Sequence, residues 1–181
     1  MKILATLVVL AAIGFFGWLA AGGLDVAADS PHSMIVFKAI GFARERALDE
    51  RAEDLRGPPL EDPKQIATGA AQNADTCEGC HLGPGIADNE FRRGLYPKPP
   101  DFSAQRIDEP AEAFWAIKHG LKMTAMPAWG LTHGDATIWA IVAFLRKLPD
   151  MSPAQYKQIT AAAAAAEHAV DAPVEHPQAE R

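Results

Sequence analysis

Both cysteines of this 181-residue chain fall within five consecutive positions, Cys77-Glu78-Gly79-Cys80-His81. Thiols at i and i+3 lie on one side of a helical turn, where both can reach the two vinyl groups of one porphyrin and form thioethers. The histidine after the second cysteine stands at i+4 from the first, placed to serve as an iron ligand beneath the ring. The pentad therefore reads as an attachment site for one c-type haem per chain, with Cys77 and Cys80 binding the cofactor and His81 binding the metal. A fold that carries such a group must wrap around it. Three other uses of the cysteines fit less well. A thioredoxin-like redox pair needs a strand–helix–strand context that is absent here. A structural zinc site needs two more ligands at similar spacing, and there is no third cysteine. A disulfide within one helical turn is strained and leaves His81 without a role.

The second constraint is at the N-terminus. Positions 3–24 carry no charge and follow only Met1 and Lys2. A run of this kind directs export, and as a helix it would extend about 33 Å at ~1.5 Å per residue, enough to cross the hydrocarbon core with Trp18 near an interface. Val26-Ala27-Ala28 offers a small-residue cleavage site, but the length of the run favours a retained anchor over a removed signal. A buried core helix is a poor alternative for so uniform a segment.

Charge separates the remainder into segments. Residues 63–150 hold 9 basic and 10 acidic side chains, so the part containing the pentad is almost neutral, and the acidic surplus of the chain lies in its flanks. No basic block suggests nucleic acid. The expected organisation is an anchor or signal over 1–24, a membrane-proximal helix and Pro-rich linker over 25–62, a haem-bearing domain over 63–150, and an Ala-rich tail over 151–181. Within it, helices are expected over 33–55, with Val36, Phe37, Ile40 and Ala47 as the apolar face. Others are expected over 63–74, opening on Pro63, over 110–119, and over 135–148, where Ile138, Ile141, Val142, Leu145 and Leu148 form a stripe. The helix over 33–55 either sets the height of the domain above a membrane or packs on it with a solvated face. Nothing alternates with period two, so the fold class is all-α. Ser152-Pro153-Ala154-Gln155 has the form of a capping box opening one more helix, expected to dangle, and 171–181 is expected to be disordered.

The opposite face of the iron needs a ligand if the site is to be unreactive. Met126 is the leading candidate: its thioether is soft, and Met/His ligation raises the potential as an electron carrier requires. It lies in Lys122-Met123-Thr124-Ala125-Met126-Pro127-Ala128-Trp129, with Pro127 stiffening the backbone behind it. Met123 and His119 are the competitors.

With the pentad early, Met-Pro-Ala-Trp late and Ile138-Trp139-Ala140-Ile141-Val142-Ala143-Phe144-Leu145 closing, residues from about 63 to 150 resemble a class I c-type cytochrome of the small bacterial kind. The resemblance implies a helical domain wrapped around covalently bound haem, its first and last helices crossing at Gly69 against Trp139 or Phe144. It implies a proline carbonyl that receives the proximal imidazole N–H, from Pro84 or from the stretch around Pro97. One departure stands out: Asn73 occupies the position, four residues before the first cysteine, where the family usually has an aromatic. Because the family attaches its haem outside the cytoplasm, the implied location is the inner membrane with the haem domain in the periplasm, or the soluble periplasm after cleavage. The implied role is one-electron transfer between redox partner proteins rather than enzymatic catalysis. A fixed haem relay within a membrane respiratory or dehydrogenase complex is the main alternative, and a haem enzyme or gas sensor with a labile distal ligand is a weaker one.

Overall fold

The computed structural model describes residues 1–170, with side chains to residue 162; the expectation for 171–181 lies outside the described residues. The chain is helical, and among the described residues there is no strand. An apolar helix α1 (Lys2–Ala20) precedes α2 (Met34–Ala52). The compact part then contains α3 (Pro63–Gln72), a short α4 (Glu78–His81), a short α5 (Glu90–Arg93), α6 (Pro110–His119), α7 (Asp135–Leu145) and α8 (Pro153–Val170).

Helix α1 stops at Ala20 rather than continuing to residue 24. Gly22 adopts φ +77°, and a side chain on Gly23 would strike the Trp18 indole, so the chain folds back across that ring. The remaining 19 residues span about 28 Å at ~1.5 Å per residue, close to the thickness of a bilayer core. Every described residue of α1 apart from Leu19 is exposed, as an element whose apolar partner is lipid should be.

The core forms where α3 crosses α7. At Gly69 a Cβ would lie 2.0 Å from the Ala140 carbonyl oxygen and 2.9 Å from Phe144 Cβ, so only glycine permits this approach. The expected close crossing is present, with Ala140 and Phe144 as its partners. Helix α7 is buried on all sides from Ile138 to Leu145, a wider apolar surface than the single stripe suggested. It ends at Leu145, and Leu148 is buried in a separate turn before Asp150. The 56–62 linker is not free. Leu60 enters the core, Gly57 passes over the face of Trp139, and Glu61 pairs with Arg146 and Lys147.

Helix α2 divides along its length. Its second half approaches α6 through Leu48 and Ala52, and Arg51 lies over the Trp115 ring at 5.5 Å. Here Glu112, half-buried and beside Asp49, Glu109 and Glu45, has its carboxyl pushed up by burial and by those like charges. Its first half is open instead: Val36, Phe37 and Ile40 of the expected apolar face remain exposed. Helical spacing marked these residues as one face without fixing what covers it, and Phe37 and Ile40 border an open cavity opposite Tyr96 and Trp115.

The tail also departs from expectation. The capping box forms, with Ser152 N donating to Gln155 Oε1 at 2.8 Å and Gln155 N returning to Ser152 Oγ at 3.3 Å. The helix it opens does not dangle over its first turns, because Tyr156 is 2% exposed and Ile159 packs against the core. A low average apolar content concealed two anchors on one face.

Candidate haem site

The attachment segment follows directly from α3. A wide turn over Asn73–Cys77 joins α3 to α4, so the pentad continues a helix held at its far end by the α7 crossing. Cys77 and Cys80 are both free thiols, Cys77 buried and Cys80 half-buried. Burial pushes the Cys77 thiol up, against a Thr76 hydroxyl 3.4 Å from its sulfur.

His81 is oriented from behind. Its Nδ1 lies 2.9 Å from the Pro100 carbonyl oxygen, and since a carbonyl only accepts, Nδ1 carries the proton and Nε2 keeps its lone pair. The ring stacks on Phe102 at 4.5 Å with 12° between planes, while Phe102 N donates to the His81 carbonyl at 3.3 Å. Burial pushes the imidazole pKa down, more than the Pro100 bond raises it, and the Arg92 charge acts in the same direction as burial. The ring is thus neutral with one nitrogen available, the state a metal ligand needs. The carbonyl belongs to the proline-rich stretch, and Pro84 has no part in it.

Two side chains that sequence reasoning did not single out hold this arrangement. Arg92, 5% exposed, donates Nε to the Cys80 carbonyl at 2.8 Å and Nη2 to the Pro99 carbonyl at 2.8 Å, with Asp88 3.3 Å from Nη1. It ties the pentad to the loop that orients His81. Asn89 caps α5 and donates to the Gly79 carbonyl at 2.9 Å, placing Arg92 one turn on. The Asn-Glu pair opening a short helix was a readable signal, whereas burial of the arginine was not. Tyr156 is the second. Its hydroxyl donates to Glu78 at 2.6 Å and accepts from Asn73 Nδ2 at 3.2 Å, its ring packs on Gly83, and Phe144 lies 6.2 Å away. Burial, then the hydrogen bond to Glu78 and its charge, push the phenol pKa up. Fully buried Asn73 therefore departs from the family pattern without leaving a void: the tail supplies the aromatic ring beside it.

On the far side, α6 ends at Gly120, φ +66°, where a Cβ would meet the backbone of Met126 and Pro127 at 2.7–2.8 Å. The following loop closes on itself: Leu121 N donates to the Met126 carbonyl at 3.2 Å, Met126 N to Thr124 Oγ1 at 3.0 Å, and Thr124 Oγ1 to the Leu121 carbonyl at 2.7 Å. Met126 is half-buried against the core, while Met123, at φ +60°, is 82% exposed. His119 is exposed and lies against Trp115, ring centroids 4.6 Å apart. Of the three candidate distal ligands, only Met126 is turned into the domain.

These residues suit a haem. Two thiols one turn apart are not joined to each other, a neutral imidazole has one nitrogen committed and one free, and Phe102, Ile107, Met126 and Trp129 border the core half-buried. A flat apolar group would complete their burial. Among the described residues, no three His, Cys, Asp or Glu side chains gather to hold a metal ion.

Residues 64–145 match the family model described as cytochrome C oxidase, cbb3-type, subunit III. The domain is a class I c-type cytochrome, its cofactor is covalently bound haem c, and its chemistry is haem-based electron transfer. No curated protein and no solved structure matches the chain.

Proposed function

We propose that the chain is a membrane-anchored, periplasm-facing monohaem cytochrome c that passes single electrons between redox partner proteins, with His81 and Met126 as axial ligands. Cys77 and Cys80 would hold the haem by thioethers in a domain over residues 63–150, flanked by the anchor 1–24, the membrane-proximal segment 25–62 and the tail 151–181. When bound, the haem supplies a metal that gains and loses one electron without bond-making to substrate. The protein's part is to keep that change small. The Pro100 carbonyl fixes the His81 tautomer, the apolar set around Phe102 and Ile107 excludes water, and the Met126 loop presents a soft donor favouring the reduced state.

The observation that carries this reading is the inward placement of Met126 beside an exposed Met123. Met126→Ala is expected to remove the weak sulfur-to-iron band of the oxidised protein, admit carbon monoxide to the reduced protein, and lower the midpoint potential by on the order of 0.1 V or more, within the ~0.8 V that axial ligation commands. Met123→Ala should leave all three unchanged. Ready carbon monoxide binding by the unaltered protein would point instead to a haem enzyme or gas sensor.

A fixed relay within a membrane respiratory complex is the second reading. It is supported by the family match to an oxidase subunit together with the apolar α1. Stoichiometric co-purification with integral membrane subunits in mild detergent distinguishes it from a separate carrier.

A further inference from the structure

Among the described residues outside α1, the first half of α2 carries a run of large apolar side chains that stay exposed. Ile35 is 82% exposed, Met34 67%, Phe37 51% and Phe42 68%, whereas the charged residues of the helix begin, apart from Lys38, at Arg44. The polarity of α2 therefore changes along its axis rather than around it. Ile35 and Phe42 are exposed in the first half, and Arg46 and Glu50 in the second. A helix lying wholly in water would not concentrate four large apolar side chains at one end. This end is also the one joined to α1, thirteen residues away.

Met123 extends the same surface. Phe37, Phe42 and Met123 line one open cavity of about 770 Å³ between α2 and the loop that leads to Met126, and Lys38 and Lys122 stand on its walls. Apolar side chains with interspersed lysines match the boundary between acyl chains and anionic headgroups.

We propose that the first half of α2, together with the Met123 loop, is seated in the interfacial layer of a bilayer containing anionic lipid, continuous with the anchor α1. The proposal rests on retention of α1 as an anchor and adds an orientation to it. The Met126 side of the haem domain is held toward the membrane, while the charged second half of α2 rises into water. Electron exchange is thereby directed at partners embedded in, or sitting on, the same membrane.

The test uses the full-length holoprotein in nanodiscs. With Cys77 and Cys80 consumed by haem, a single introduced cysteine can be labelled selectively with a nitroxide. Ile35→Cys, Phe42→Cys and Met123→Cys labels should be several-fold more accessible to oxygen, which partitions into lipid, than to a water-soluble nickel chelate, and Glu50→Cys should show the reverse. The preference should weaken in discs of phosphatidylcholine alone and recover when phosphatidylglycerol is included, and Lys38→Glu with Lys122→Glu should abolish that recovery. Labels at 35 and 42 as open to nickel as the label at 50, in a protein that remains in the disc, would overturn the proposal and leave the anchor intact. Labels shielded from both reagents would overturn it in favour of a protein partner or a second copy. Recovery of a chain lacking α1 from cells would overturn the anchoring reading, and this proposal with it.

Discussion

The two sides of the haem site are built differently. On the attachment side, residues distant in sequence converge: Pro100 on His81, Arg92 on Cys80 and Pro99, and Tyr156 on Glu78 and Asn73. On the Met126 side, the hydrogen bonds that shape the loop all fall within residues 121–126, and its most exposed member, Met123, has a left-handed backbone. A covalent attachment must be presented in one geometry, so long-range bonds over-determine it. The thioether ligand proposed at Met126 needs only to be aimed, and a short self-closed loop would do that while remaining open to a surface. The attachment side should therefore fail through loss of the fold, and the distal side through loss of ligation.

The largest expected effect is on the attachment side. Arg92→Ala leaves the Cys80 and Pro99 carbonyls without their buried donor, at on the order of 4 kcal/mol for two unsatisfied groups and the lost packing. Thermal unfolding of the holoprotein should fall by many degrees, and holoprotein yield should drop. A nearly unchanged melting temperature would show that Arg92 is not the clamp.

Gly120→Ala tests the other side. A Cβ within 2.8 Å of the Met126 and Pro127 backbone, at a positive φ, must displace the loop, at about 3 kcal/mol. The decisive readout is spectroscopic. The sulfur-to-iron band should weaken and carbon monoxide binding appear while covalent haem is retained. Loss of haem attachment instead would mean that the two sides are not separable.

Tyr156→Phe is the smallest of the three. It keeps the ring against Phe144 and Gly83 but removes the bond to Glu78 and leaves buried Asn73 Nδ2 unpaired, a cost of about 2 kcal/mol. Denaturant titration should register it without any change in the sulfur-to-iron band. A change in that band would show that the tail acts on both faces of the site.

Much of the architecture was legible because it depends on local chemistry. Pro63, Pro110 and Pro153 each open a helix at its first position, and Ser33, Asp62 and Ser152 supply side-chain bonds at helix starts. Gly69 was legible through the family pattern, and its closeness to Ala140 shows why no side chain fits there. The site was less legible where burial decided the outcome. Arginine and tyrosine at positions 92 and 156 have nothing local to mark them as interior, and the carbonyl that receives the His81 proton depends on how the loop over 83–100 returns beneath the pentad.

The sequence by itself determined that the chain is helical, that its two thiols and one histidine share a turn, and that its first apolar run suits a lipid environment, since composition and spacing at short range decide each of these. Only the tertiary structure decided that Pro100 rather than Pro84 orients His81, that Met126 rather than Met123 turns inward, that Tyr156 closes the space beside Asn73, and that α2 leaves its first half uncovered. Each of these is a contact, or a missing contact, between segments far apart in the chain. Its outcome depends on which surfaces the packed core brings together, and no local pattern encodes that.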